Sequence, residues 1–286
     1  MSPEGMRESA RVLDRLPRTV VLQAEWRAER AQRLAPMPTT SLHGALGHAI
    51  RDLACRTPSR RGCDGCRHRG ECSYAILFEP EGSHEHGEGV HGRAPPPLVL
   101  RPLDMSPGAP CHELAAGGVL RARVGLIGEA AIAQEALVKA SLARVGRVGL
   151  ARAQGETRPP LALESVARQQ PSCARPRSGL WRIRFVTPLR LTEDGKPAAR
   201  ITASLLWKSI VRRADTLSRR YGKGALPLDP GECPWRQRAS EQRPVRVRRY
   251  SSRQGQRMEW PAVMGWIDVD GEAGELAEHA TRVQVG

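Results

Sequence analysis

The chain has 286 residues, 40% of them apolar, which is enough for two domains of ordinary size. It carries 45 Lys and Arg against 30 Asp and Glu, a formal charge of +15 that predicts a polyanionic partner. The sequence has no long apolar run, so we expect no membrane span. It also has no apolar segment behind a basic N-terminus, so we expect no signal peptide and a cytoplasmic protein. Aromatic residues make up only 4%, which disfavours stacking of successive bases and favours recognition of a folded RNA through shape and phosphates.

The first half of the chain alternates between strand and helix patterns. Residues 19–27 alternate apolar and polar positions, which predicts a half-buried strand. Ser41 is a suitable N-cap for a helix whose apolar stripe is formed by Leu42, Leu46, Ala49, Ile50 and Leu53. Further on, the patterns predict a strand at 119–127, a helix at 129–144 and a strand at 146–153.

Four cysteines follow this first helix at short spacing: Cys55, Cys63, Cys66 and Cys72. Four thiolates around a central Cys-x-x-Cys provide a complete tetrahedral ligand set for Zn²⁺, and disulfides are disfavoured in the cytoplasm. Such a site has no open position for water, so we expect a structural metal. Reduced structural thiols or an iron–sulfur site are the alternatives.

Polar, proline-rich sequence separates the two halves. We therefore predict a first domain at 1–154 with the cysteine insertion at 55–80, a linker at 155–178, and a second domain at 179–286. In the second domain the patterns predict strands at 181–191, 243–250 and 263–269 and a helix at 202–220.

The positive charge is concentrated in this second domain. From residue 177 to residue 257 there are 17 Arg and three Lys against six acidic residues, a local balance of +14. The predicted helix buries a stripe at Leu206, Ile210, Ala214 and Leu217, and its cationic residues lie elsewhere on its surface. The residues that we predict to contact RNA are Lys208, Arg213, Arg219 and Arg220 on the helix and Arg246, Arg248, Arg249 and Arg253 in the strand region; Arg246 and Arg248 lie on one face of that strand.

Several motifs together resemble a known family. They are LHGALGHAIRDLAC, CDGCRHRGECSYAILFEP and PPPLVLRPLD in the first half, and FVTPLRLTEDGKP, IVRRADTLSRRYGKG and VRRYSSRQGQRMEWPAVMGWIDVDG in the second. In order and spacing they are similar to the RAMP-superfamily endoribonucleases that process CRISPR precursor RNA, in the branch with a cysteine cluster. The resemblance covers roughly residues 40 to 270.

The resemblance implies an α+β fold of two tandem ferredoxin-like (RRM/RAMP) domains, with the zinc-binding insertion in the first. It also implies binding of a CRISPR repeat RNA hairpin, cleavage at the base of its stem, and transfer of the mature crRNA to the subunits of an effector complex. Members of the family usually end in a glycine-rich loop and a last strand, whereas this sequence ends in LAEHATRVQVG. We therefore expect a shortened second domain, and a minor system such as type IV fits that end.

Cleavage of RNA without a metal needs a group that accepts the proton of the 2′-hydroxyl, a proton for the leaving 5′-oxygen, and cations for the phosphorane. His43 is the candidate acid or base, because imidazole titrates near neutral pH and because the resembling family often places its catalytic residue there. Arg212 is the second catalytic candidate. Two alternatives remain: a noncatalytic crRNA-binding subunit of an effector complex, and a zinc-ribbon regulator that binds nucleic acid.

Overall fold

The computed structural model describes residues 12, 14–34, 38–57, 62–80, 95–103, 112–150, 158–169, 179–251 and 256–271. The chain divides into two units. The first unit is Arg18–Pro171, and the second unit combines Met1–Pro17 with Ser172–Gly286.

The elements of the first unit in chain order are β1 (Thr19–Ala28), β2 (Gln32–Leu34), α1 (Pro38–Ala54), α2 (Ser73–Phe78), β3 (Leu98–Pro102), β4 (His112–Leu114), β5 (Val119–Ile127), α3 (Glu129–Ile132), α4 (Glu135–Val148) and β6 (Leu161–Gln169). Four of the strands form an antiparallel sheet with the order β3-β5-β1-β6, and the short strands β2 and β4 pair with each other. The succession β1-α1-β3-β5-α4-β6 with this strand order is the ferredoxin-like arrangement.

The core of the first unit lies between one face of this sheet and the helices. Alternate residues of β1 are buried, which explains why the strand pattern is so clear in the sequence. Trp26 is fully buried, and its indole N–H donates a hydrogen bond to the Leu142 carbonyl of α4 at 3.2 Å. Gly146 of α4 allows this close packing, because a Cβ there would lie 2.4 Å from the Leu161 carbonyl oxygen.

The described elements of the second unit are β7 (Gly179–Leu189), the two-residue strands β8 (Thr192–Glu193) and β9 (Lys196–Pro197), the long helix α5 (Ala203–Tyr221), β10 (Trp235–Ser251) and β11 (Gln256–Gly271). The three long strands form an antiparallel sheet with the order β10-β11-β7. The described part is thus a β-α-β-β arrangement, and the expected shortened end lies outside the described residues. The side chain of Thr202 caps α5 by accepting from the Leu205 N–H at 3.1 Å.

β10 and β11 are much longer than β7. They pair with each other from Trp235 to Ser251, whereas β7 pairs only with the Val263–Gly271 part of β11. The remaining part of the hairpin is therefore a two-stranded ribbon.

Three expectations about the elements differ from the structure. The predicted strand at 146–153 is wrong, because α4 continues to Val148 and ends at Gly149, whose φ of 76° stops the helix. The segment predicted as a linker contains β6, which pairs with β1. Leu53 does not belong to the buried stripe of α1 and is 49% exposed.

Candidate functional site

His43 lies in the second turn of α1, with its side chain exposed and its ring against an aromatic pair. The ring centroids of His43 and Phe78 are 4.9 Å apart with the planes at 62°, and Phe78 stacks on Tyr74 at 5.4 Å. Gly47, one turn beyond His43, provides the space for Phe78, because a Cβ there would lie 3.2 Å from its ring. The imidazole is therefore accessible from solvent, while a ring contact restricts its orientation.

Cys55, Cys63, Cys66 and Cys72 line one cavity of about 150 Å³. Cys55 directly follows α1, Cys72 directly precedes α2, and the Cys66 N–H donates to the Cys63 carbonyl at 3.1 Å. Burial raises the pKa of the Cys63 thiol to about 11, and the nearby Glu79 carboxylate adds to the effect. In the described ranges, no three His, Cys, Asp or Glu side chains are arranged so that they could hold a metal ion.

Ionic contacts support the cysteine loop. Arg69 bonds the Asp64 carboxylate at 2.7 Å and the Glu79 carbonyl at 3.1 Å, and the Cys63 N–H donates to the Glu79 carboxylate at 3.2 Å. Because α2 begins just after Cys72 and carries Tyr74 and Phe78, this loop is connected to the ring that contacts His43. Sequence reasoning missed Phe78, although it is one of only two phenylalanines in the chain.

Four of the five cations of α5 are exposed. Lys208 and Arg212 are exposed, and neither is paired with a carboxylate among the described residues. Arg219 is exposed but bonds Asp215 at 2.7 Å one turn away. Arg220 is exposed as well.

Arg213 lies in a different environment from the rest of this group. It is half-buried, and burial lowers the pKa of its guanidinium. The neighbouring Tyr221 is half-buried too, and burial raises its pKa to about 12. Arg213 is therefore less available to RNA than the sequence suggests.

Two of the predicted β10 arginines lie in the two-stranded part of the hairpin. Arg246 and Arg248 are two residues apart in a stretch of β10 without a register shift. Arg246 is 80% exposed and bonds Glu259 on β11 at 3.0 Å. Arg249 is also within β10, whereas Arg253 lies outside the described residues. The structure thus groups the four cysteines around one cavity, while His43 and Arg212 belong to different units.

A family model described as AF_1859_N, an N-terminal domain, matches residues 16–183, more than half of the chain. The chain belongs to the AF_1859_N family. A search of curated proteins finds no match.

Solved structures share the fold over nearly the whole chain. A structure titled "Characterization of a Cas6-related gene from Pyrococcus furiosus" has a TM-score of 0.54 and 9% identity, covering 94% of this chain and 93% of that chain. One titled "CRISPR associated protein Cas6" has a TM-score of 0.52 and 11% identity, covering 94% of each. One titled "Cas6 (TTHB231) product complex" has a TM-score of 0.50 and 14% identity, covering 93% of this chain and 90% of that chain.

This member of the AF_1859_N family therefore has the mixed α/β fold of the Cas6 structures. At these identities the likeness concerns the fold alone. No helix in the described ranges is long and apolar enough to cross a membrane.

Proposed function

We propose that the protein binds the repeat hairpin of a CRISPR precursor transcript and cuts it at the base of the stem. The observation that carries this proposal is the fold that the chain shares over 94% of its length with a Cas6-related protein. The cationic residues of α5 and of the β10–β11 ribbon support it, because they supply the phosphate contacts that a hairpin stem requires.

In the proposed reaction, neutral His43 accepts the proton of the 2′-hydroxyl, whose oxygen attacks the adjacent phosphorus. The bond to the 5′-oxygen breaks, and that oxygen takes a proton from water, so the products are a 2′,3′-cyclic phosphate and a free 5′-hydroxyl; His43 then returns its extra proton to the solvent. Arg212, an exposed and unpaired cation in the described part of the chain, is the candidate for stabilising the negative charge of the phosphorane. The step needs no divalent metal.

The test uses labelled repeat RNA without added divalent cations. We expect His43→Ala to slow the chemical step by roughly 10²–10⁴-fold at saturating protein, with hairpin affinity retained. His48→Ala is the matched control, since His48 is exposed on the same helix. A 2′-deoxy nucleotide before the scissile phosphate must abolish cutting and preserve binding.

The alternatives predict other results. Hairpin binding without any cutting by the wild-type protein would replace the proposal with the noncatalytic crRNA-binding subunit. Preference for duplex DNA over the hairpin would favour the zinc-ribbon regulator. We further propose that the protein acts in the cytoplasm, keeps the mature crRNA bound after cutting, and passes it to the subunits of an effector complex. Co-purification of those subunits tests this step and the assignment to a type IV system.

We also propose that the cysteine cavity holds a structural Zn²⁺. The donor set supports this, because four thiols line one cavity and zinc prefers four thiolates. Among the described residues these thiols are not yet in a metal-binding arrangement, so they would have to draw together as the ion binds. Bound there, zinc would hold the thiols as thiolates and brace the loop that precedes α2.

Elemental analysis should find about one zinc per chain in the wild-type protein. The pair Cys63→Ser and Cys66→Ser should lose the metal and destabilise the first unit, because binding and folding are coupled in such sites. Cys233→Ser is the matched control, since this free cysteine lies in the second unit. A wild-type protein without metal would contradict the zinc proposal. Iron in the purified protein, together with absorption of visible light, would show that the cysteines hold an iron–sulfur cluster instead of zinc.

A further inference from the structure

The face of the first-unit sheet opposite the core carries a regular set of charged side chains. It is formed by the half-buried or exposed alternate residues of β1, β5 and β3, beginning at Gln23 and Glu25. Its arginines are Arg27, Arg101, Arg121 and Arg123.

Two of these arginines are neutralised by carboxylates on adjacent strands. Arg27 forms a two-pronged ion pair with Glu164 of β6, one bond of which is 3.0 Å. Arg121 bonds Glu25 directly across the strand boundary at 3.1 Å. Two of the four arginines on this face are thus offset by an acid on an adjacent strand.

Arg101 and Arg123 lack this compensation. They are directly opposite each other on β3 and β5, and neither pairs with a carboxylate of the described chain. The Arg101 Nε is buried and has no hydrogen-bond partner among the residues that the structure describes. Burial lowers the pKa of Arg101, and repulsion from Arg123 lowers it further.

The other neighbours of this pair fix its position without neutralising it. The Arg123 Nε lies 3.5 Å from the Gln23 amide oxygen, and the Gln23 amide nitrogen donates to Glu25 at 3.0 Å. Glu25 is therefore engaged by Gln23 and Arg121. An incoming anion would meet two guanidinium groups that no acid of the described chain offsets.

Like charges directly opposite each other on a sheet are destabilising, and a buried donor without a partner adds to the cost. One bound anion would relieve the repulsion between the two charges, and paired guanidinium groups match the oxygens of a phosphate diester. We infer that Arg101 and Arg123 form a phosphodiester-binding site on the outer face of the first-unit sheet. This inference rests on the proposed function, since the phosphate would belong to the bound RNA. It adds an RNA contact in the first unit to those proposed for the basic second unit.

The test compares the full-length protein with the double variant Arg101→Gln and Arg123→Gln. Affinity is measured against salt concentration for the repeat hairpin alone and for the hairpin with single-stranded extensions at both ends. Loss of one contact to a single strand should reduce the salt slope by about 0.7, which is about a fourfold loss of affinity at about 0.15 M salt. Arg121→Gln is the matched control, because Glu25 already neutralises that residue, and it should keep the wild-type slope.

A reduced slope with the hairpin alone assigns the phosphate to the stem, and a reduced slope only with extensions assigns it to the flanking strand. Both support the site. Wild-type slopes for both RNAs would overturn it while leaving hairpin binding and cutting intact. No RNA binding by the wild-type protein would instead overturn the proposed function.

Thermal unfolding gives a second measurement. Without RNA, Arg123→Gln should raise the Tm by about 1–3 °C, because it removes the repulsion. With saturating RNA, the wild-type protein should gain more stability than the variant. An unchanged or lower Tm of the free variant would contradict the strain on which the inference rests.

Discussion

Replacing Arg212 by Gln gives a quantitative test of the cationic face of α5. Arg212 is exposed, and no carboxylate within the described ranges offsets its charge. If it contacts one phosphate of the hairpin stem, its loss removes one unit of counterion release. The slope of log K against log salt should then decrease by about 0.9, equivalent to about a fivefold loss of affinity at about 0.15 M salt, or about 1 kcal/mol.

Arg219 should behave differently although it lies on the same face. It already bonds Asp215 one turn away, so its charge is largely compensated before RNA arrives. We expect Arg219→Gln to change the slope by less than half as much as Arg212→Gln, and to cost a few tenths of a kcal/mol in stability. Arg144→Gln is the control outside this surface, since that helical arginine is paired with Asp52.

The assay is hairpin binding by fluorescence anisotropy at four or more salt concentrations, with circular dichroism to verify folding. If Arg212 also stabilises the phosphorane, cutting at saturating protein should slow by more than the loss of affinity accounts for. Equal slopes for the wild-type protein and Arg212→Gln would refute the reasoning, and would mean that Arg212 is solvated in the complex.

Three further predictions concern stability and positioning. Glu135→Gln should destabilise the protein by about 1–2 kcal/mol at pH 7, because the hydrogen bond from Arg168 lowers the Glu135 pKa to about 2. This stabilisation is present above pH 4.5 and is lost as the pH falls towards 2. The free energies of unfolding of the wild-type protein and the variant, measured by denaturation, should therefore converge in acid. Phe78→Ala should slow cutting about tenfold with an unchanged hairpin Kd, whereas Phe78→Tyr keeps the ring beside His43; equal rates in single-turnover kinetics would contradict this positioning role. Gly265→Ala should cost more than about 2 kcal/mol in chemical denaturation, because φ there is 138° and a Cβ would lie 2.1 Å from a carbonyl oxygen of β10; a smaller loss would show that the strand adjusts.

The sequence predicts the elements with strong periodicity and misses those whose cause is tertiary. β5 has the predicted bounds and β1 is one residue longer than predicted, because each buries every second side chain over most of its length. β6 is mostly exposed, and its pairing with β1 makes it a strand without a clear pattern of its own. Gly146 resembles a helix end in sequence, yet it serves the packing against Trp26.

The same distinction applies to the candidate site. Spacing alone predicts that the four cysteines share one location, and they line one cavity. The contact between His43 and Phe78 joins residues far apart in sequence, so no local pattern indicates it. The partial burial of Arg213 was missed because a helical wheel gives the side of a helix and not what covers it.

The length of the β10–β11 ribbon has a consequence for aggregation. Beyond the part paired with β7, no other strand of the described residues pairs with β10 or β11, and backbone edges of this kind can pair with other chains. Pro244 and Pro261 each remove a backbone donor from this region, and Arg246 adds charge. Arginines in the ribbon would thus keep copies of the protein apart as well as contact RNA. Replacing them with lysine would weaken two-pronged phosphate contacts while preserving this protection, whereas neutral replacements would expose the edges to self-association.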